Sequence, residues 1–255
     1  VYPHAMVRGA RKAGVSKIVV AAFVNETDPA LANIVDHIEW MRVGQLGKLI
    51  SYLKNSGTKH AVMSGQIAPK NLFDLRPDLK ALILLGKLRE RNAETIFGAI
   101  ADSMAAAGVE LILATTFMEE FLAKQGHIAG PSPGRKSSLD LEFGLRIAKE
   151  TSRLDIGQTV VVKDGTVLAV EAFEGTNAAI QRGGELGKKN ATVVKVSKPN
   201  QDLRFDVPVI GPITLQTAAT AKISTIGIEA GKTLLLEPDR IQALASEHRI
   251  TLMGI

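Results

Sequence analysis

Residues 159–172 read Thr-Val-Val-Val-Lys-Asp-Gly-Thr-Val-Leu-Ala-Val-Glu-Ala, two β-branched runs joined by Asp164-Gly165. An Asp-Gly pair supplies the two positive φ angles of a two-residue turn, so the stretch predicts an antiparallel hairpin from Thr159 to Lys163 and from Thr166 to Ala172. Around it the pattern changes period. A helix is expected over Ser138–Thr151, where Leu141, Leu145 and Ala148 recur at helical spacing, and further helices over Thr176–Arg182, Ile213–Lys222 and Pro238–His248. Strands are expected at Thr192–Val196, Thr225–Glu229, Thr233–Leu236 and Ile250–Met253. Helices alternating with strands imply a largely parallel sheet, and a hairpin within it makes the sheet mixed.

The first half alternates in the same way. Lys17–Phe23, His60–Ser64 and Val109–Leu113 read as strands, and Gln45–Asn55 and Glu90–Ala107 as helices. Pro3–Ala13 reads as a helix with proline in its first turn. The sequence opens at Val1 with no strand ahead of that helix, and a leading strand and loop are expected to precede it. Between Lys124 and Ser138 the chain turns rich in Gly, Pro and Ser (Gly130-Pro131-Ser132-Pro133-Gly134), which marks a linker. Two α/β domains are therefore expected, 1–130 and 131–255.

Composition removes several function classes. The 255 residues contain no cysteine, which excludes disulfides, thiolate zinc sites and a cysteine nucleophile, and suits a reducing, cytoplasmic compartment. No apolar run approaches the ~18 to 20 residues of a membrane span. The 31 Lys and Arg exceed the 26 Asp and Glu by 5 without forming a run of four, a balance suited to phosphate ligands or an anionic membrane surface. Aromatic residues make up 4%, too few for base stacking, so nucleic acid is not an expected partner. The five histidines form no H-x-H or H-E-x-x-H pair, no G-x-G-x-x-G occurs, and Gly130-Pro131-Ser132-Pro133-Gly134, which has the spacing G-x-S-x-G, reads as linker and not as a serine-hydrolase elbow. Gly227-Ile-Glu229-Ala-Gly231-Lys-Thr233 ends like a phosphate-binding loop, but Ile226 stands where the first glycine belongs, so an ATPase is rejected.

Chemistry concentrates in Lys198-Pro-Asn-Gln-Asp-Leu-Arg-Phe-Asp-Val-Pro208. Read as extended chain, it turns Leu203, Phe205 and Val207 one way and Asp202, Arg204 and Asp206 the other. Carboxylates and an arginine on one face can hold a cation and clamp phosphate, and a solvated strand face with surface ion pairs fits the pattern equally well. At ~3.3 Å per residue Asp202 and Asp206 would lie roughly 13 Å apart, too far to share one metal unless the strand bends. A second candidate is Glu171-Ala-Phe-Glu174-Gly175-Thr176-Asn177, where a strand runs into a helix with Thr176 as N-cap, free amides for phosphate and Glu171 or Glu174 as an oxygen ligand for Mg2+. A plainly capped helix with surface acids is its alternative. Gly44-Gln-Leu-Gly47 opens a helix and Met63-Ser-Gly65-Gln66 ends a strand, and both are ordinary turns unless they line the sheet's carboxyl edge.

Together Leu154-Asp-Ile-Gly-Gln158, Val167-Leu-Ala-Val-Glu-Ala172, Glu174-Gly-Thr176, Lys198-Pro199, Gln201-Asp-Leu-Arg-Phe-Asp-Val-Pro208 and Glu229-Ala-Gly231 resemble the LpxI family of UDP-2,3-diacylglucosamine pyrophosphatases. Gly44-Gln-Leu-Gly-Lys48, Gly65 with Pro69, and Leu72-Phe-Asp-Leu-Arg-Pro-Asp78 extend the resemblance over essentially the whole chain. It implies a Rossmann-like N-terminal domain, a second α/β domain with a mixed sheet, and a ligand cleft between them. It also implies magnesium-dependent hydrolysis of the lipid-bearing UDP-sugar to UMP and 2,3-diacylglucosamine 1-phosphate (lipid X) in the lipid A biosynthesis of Gram-negative cells, with attack on the phosphorus nearer the sugar. Asp206 matches the family's critical aspartate and is expected to bind Mg2+ or orient water, alone or with Glu171 as a metal ligand. Arg204 and Lys198 are expected to balance phosphate charge, and Gly175, Thr176, Gln201, Asp202, Gly65, Gln66 and Gly47 to contact substrate. Asn177 stands where many relatives have Asp, and the family's Gly-rich opening is absent from the sequence. Peripheral contact with the inner membrane and a homodimer complete the expected partners. A non-catalytic nucleotide-sugar or lipid-binding module is the rival reading, and a nicotinamide-dependent oxidoreductase the third.

Overall fold

The computed structural model describes residues 1–65, 77–90 and 92–255. It divides into two compact units, one of residues 1–118 with 202–205, the other of residues 119–201 with 206–255. Composition drew the division near 130; the contacts draw it after Met118, because the segment beyond it pairs with the second unit's sheet.

In the first unit, α1 (Tyr2–Lys12) precedes β1 (Val19–Phe23) and β2 (His37–Met41), and α2 (Leu46–Asn55) precedes β3 (His60–Ala61). Then come α3 (Leu79–Lys87), α4 (Ala93–Ala105) and β4 (Glu110–Leu111). β1 pairs with β2 and β3 with β4, both parallel. Among the described residues these are two separate two-stranded sheets, so one continuous Rossmann-like sheet is not what is seen. Leu46, Ile50 and Leu53 of α2, Ala81 of α3, and Ala101 and Met104 of α4 enclose Val109 and Leu111 in a core against which Phe205 packs.

The second unit contains β5 (Gly126–Ala129), α5 (Arg135–Arg153), β6 (Thr159–Lys163), β7 (Thr166–Val170), α6 (Thr176–Gly187) and β8 (Ala191–Lys195). β9 (Val209–Ile210), α7 (Pro212–Thr220), β10 (Ile223–Ile228), β11 (Leu234–Leu235), α8 (Pro238–Glu247) and β12 (Thr251–Gly254) complete it. Six strands form one mixed sheet in the order β5-β12-β10-β8-β6-β7, parallel from β12 through β8 and antiparallel at both ends. The expected hairpin is β6 and β7. Asp164 and Gly165 both have positive φ, 46° and 72°, and their amides donate to the carboxylate of buried Asp140 on α5.

Strand alternation serves two cores. Val160, Val162, Val194 and Val196 meet Leu141 and Ala148 of α5, while Val161, Val193, Ile226 and Leu252 meet Ile180, Leu215 and Ile241 from α6, α7 and α8. Burying such side chains contributes about 1.5–3 kcal/mol each. Two helices approach the sheet through glycine: a Cβ on Gly144 of α5 would lie 2.6 Å from Val194, and one on Gly183 of α6 2.4 Å from Val161. Among the described residues no helix is long and apolar enough to cross a membrane.

One expected element is absent. Residues 202–205 are a turn and not an extended strand: the Phe205 amide donates to the Asp202 carbonyl at 3.2 Å, and the Arg204 amide to Asp202 Oδ1 at 3.0 Å. A short acidic side chain that binds the backbone two residues on stabilises a turn against extended chain. The row of Asp202, Arg204 and Asp206 on one strand face therefore does not form.

Candidate functional site

At the carboxyl end of β8 and the start of α6, the second unit gathers polar groups that the chain separates by up to 51 positions, from Asp155 to Asp206. α6 begins at Gly175, whose φ of 84° only glycine adopts freely, and Gly175 rather than Thr176 is the N-cap. Thr176, displaced to the first helical position, has its hydroxyl free: it donates to Glu171 Oε1 at 2.8 Å and accepts from Lys195 Nζ at 2.9 Å. Gly157 lies so close to Glu171 that an added Cβ would stand 2.0 Å from its carbonyl oxygen. Glu171 Oε2 is buried without a hydrogen-bond partner.

Asp206 follows the 202–205 turn and is exposed, yet crowding by protein raises its carboxyl above the ordinary aspartate range, against the pull of Lys198, Gln201, Lys195 and Gln158. Gln201 Oε1 accepts from the Lys198 amide at 2.7 Å, and its buried Nε2 acts on Asp206 without closing a full hydrogen bond. Lys198 is half-buried and pairs with Asp155.

Behind these groups, Glu229 anchors the loop. Its Oε2 accepts from Lys149 at 2.6 Å and from the Ser197 amide and hydroxyl at 2.8 and 2.7 Å, and its Oε1 pairs with Lys232 at 2.9 Å. Loss of hydration opposes ionisation, but these donors together hold its pKa down to about 2. Glu229 and Lys232 thus fasten Ser197, the residue before Lys198. The sign follows from linkage: a depressed carboxyl contributes stability above its unfolded pKa of 4.5, lost as pH falls toward 2. With 13% of its side chain exposed, the contribution reaches about 3 kcal/mol at neutral pH. Glu229→Gln is expected to lose most of that at pH 7, with the deficit in thermal midpoint closing between pH 4.5 and 2. A deficit that is unchanged across that window would refute the clamp.

The other sequence-selected residues belong to the first unit. Arg204 and Asp202 belong to the first unit, where the guanidinium binds Asp202 through Nε and Nη2, the latter at 2.6 Å. That pairing depresses the Asp202 carboxyl and occupies part of the arginine fork. Gly47 donates its amide at 2.7 Å to Asp78, which also caps α3, so the chain's own carboxylate sits at the start of α2. Gly65 is exposed with φ of 108°, and Gln66 lies outside the described residues. An open groove of ≈ 790 Å³ at the ends of β1 and β2, lined by Val24, Thr27, Asp28 and Trp40 among others, contains none of the selected residues. The sequence reading missed Lys195, Gln158 and Thr159. Strand parity carried the signal for Lys195, since Ala191, Val193 and Lys195 share a face.

Residues 1–121 match the family model of the LpxI N-terminal domain, and residues 124–253 that of the LpxI C-terminal domain. The UDP-2,3-diacylglucosamine pyrophosphatase LpxI of Caulobacter vibrioides is 30% identical over 224 residues, covering 84% of this chain and 80% of its own length.

Proposed function

The chain belongs to the LpxI family, and from that premise we propose that it hydrolyses the pyrophosphate of UDP-2,3-diacylglucosamine to UMP and 2,3-diacylglucosamine 1-phosphate, a step of lipid A biosynthesis. The relative from C. vibrioides is named for action on this substrate. The observation that carries the reading to residues is the surround of Asp206: a crowded carboxylate, two lysines acting on it, and the Gln201 amide turned toward it. Two acyl chains keep such a substrate in a bilayer, so the enzyme works from the cytoplasm at the inner face of the inner membrane.

Magnesium fits this set in one form. Among the described residues no three His, Asp or Glu side chains gather to cage a metal. Mg2+ bound through substrate phosphates and water needs only one or two protein carboxylates, and Glu171, with its orphaned Oε2, and Asp206 would supply them. When bound, the ion would polarise the phosphoryl oxygens and disperse their charge.

The chain's own groups divide the remaining work. Asp206 orients the attacking water and accepts its proton. Lys198, with Asp155 holding its ammonium, offsets phosphate charge. The amides of Thr176 and Asn177 have no acceptor within α6 and face outward from its positive end. Gly175, Thr176 and Gln201 thus line the substrate.

In water enriched in heavy oxygen, the protein with UDP-2,3-diacylglucosamine and magnesium is expected to release UMP, with label in the 2,3-diacylglucosamine 1-phosphate, and chelation by EDTA is expected to stop turnover. Label in UMP would overturn the choice of phosphorus. Tight binding with the ligand recovered uncleaved under every condition would make the protein a binding module.

A further inference from the structure

Lys195 occupies a place where the sheet's pattern asks for hydrocarbon. Ala191 and Val193 point into the core shared with α6, α7 and α8, and a period of two sets Lys195 on the same side. Register puts it opposite Thr159 of β6, whose carbonyl accepts the Glu171 amide at 2.8 Å. Lysine, threonine and glutamate form one row across β8, β6 and the residue that follows β7, beneath the start of α6.

The row is under-satisfied. Thr159 Oγ1 and Glu171 Oε2 are buried without hydrogen bonds. The Lys195 ammonium carries three donors and among the described residues gives one, to Thr176 Oγ1, whose own hydrogen is committed to Glu171. Lost hydration lowers the lysine pKa, while Glu171 and Asp206 pull it back; among the described residues neither carboxylate closes an ion pair with it. Holding a desolvated cation without a close counter-ion is costly to a fold, and a hydrophobic side chain of equal volume would pack more stably. Residual accessible surface on Lys195 lets a ligand reach it.

Resting on the hydrolysis put forward above, we propose that Lys195 is a catalytic residue whose ammonium binds the pyrophosphate and neutralises the leaving oxygen. In the step, water oxygen bonds to the sugar-side phosphorus, the bridging P–O bond breaks, and its electron pair stays on the UMP oxygen facing Lys195. The water proton passes to Asp206 and then to solvent, and the lysine keeps its own. The free amides of α6 complete an anion site in which Lys195 supplies full charge and the helix partial charge.

The test compares wild type with Lys195→Met for turnover of UDP-2,3-diacylglucosamine, binding of inorganic pyrophosphate by calorimetry, and thermal midpoint. The variant is expected to lose at least 100-fold in kcat and tenfold in pyrophosphate affinity while its midpoint rises. A merely structural lysine gives the opposite pattern, a lower midpoint with turnover falling only as the folded fraction falls. Near wild-type kcat in folded Lys195→Met overturns the proposal. If wild type itself releases no UMP, the hydrolysis reading fails, and unchanged pyrophosphate affinity then overturns the anion site separately. Should the methionine variant not fold, Lys195→Cys treated with 2-bromoethylamine regenerates a lysine-like ammonium at this position alone, since the chain contains no other cysteine. Alkylation is expected to restore at least tenfold of the lost turnover, and no gain refutes a role for the charge.

Discussion

Asp206→Ala is expected to cut UMP release at least ~1,000-fold while leaving the protein folded. General-base action contributes about 10²–10⁴-fold and water or metal orientation adds to it, so the carboxylate that combines both carries the largest single loss. The expected stability is unusual for an active-site substitution. Because protein crowding raises the Asp206 carboxyl, the folded state disfavours its ionised form, and at neutral pH a neutral replacement removes a penalty. Asp206→Asn is therefore expected to unfold no earlier than wild type while sharing the loss of turnover. Circular dichroism and a thermal melt beside the UMP assay separate the two effects. A folded Asp206→Ala that turns over near the wild-type rate would end the mechanism.

Gly183→Val is expected to destabilise the second unit by about 3 kcal/mol or more. An added Cβ would meet Val161 at 2.4, 2.6 and 2.7 Å, distances that real side chains essentially never show, and Val161 is fully buried in mid-sheet with nowhere to retreat. Overpacking a tight core typically costs 1–3 kcal/mol, and a branched residue on a rigid strand lies at the upper end. The neighbour Gly184 allows no sideways escape, since its own Cβ position lies 2.3 Å from the Ala221 carbonyl. Gly98→Ala is the matched control. That glycine lies within α4 with nothing among the described residues within 4 Å of its Cβ position, so alanine is expected to stabilise by about 0.5–1 kcal/mol through lost backbone freedom. Opposite shifts in denaturation midpoint test the pair, and equal small shifts would contradict the packing argument.

Local chemistry was legible wherever it acts alone. Asp164-Gly165 needs nothing beyond its own φ preferences to turn a hairpin, and the apolar spacing of α5 marks a helix without reference to its neighbours. What failed was competition. Residues 202–208 alternate like a strand, but the Asp202 side chain bonds the Arg204 backbone and tips the segment into a turn. β2, His-Ile-Glu-Trp-Met, went unread because its polar residues mask a strand whose reason for existing is its parallel partner β1. At the site, Lys198, Gln201, Asp206, Glu171 and Thr176 were all named from sequence and share one neighbourhood in the second unit. Lys195 was not, since a lysine ending a strand looks like a solvated terminus until the register shows Thr159 opposite and the helix above.

The glycines of α6 set a limit on how this protein can change. A helix resting on Val161, Ala191 and Leu168 without slack behaves as a fixed anvil, and the amides at its leading end cannot follow a ligand of different size. Accommodation of altered headgroups must then be sought in the segments around it, at exposed Phe173 and Asn177 or along 198–206, where substitution leaves the contact between α6 and the sheet untouched.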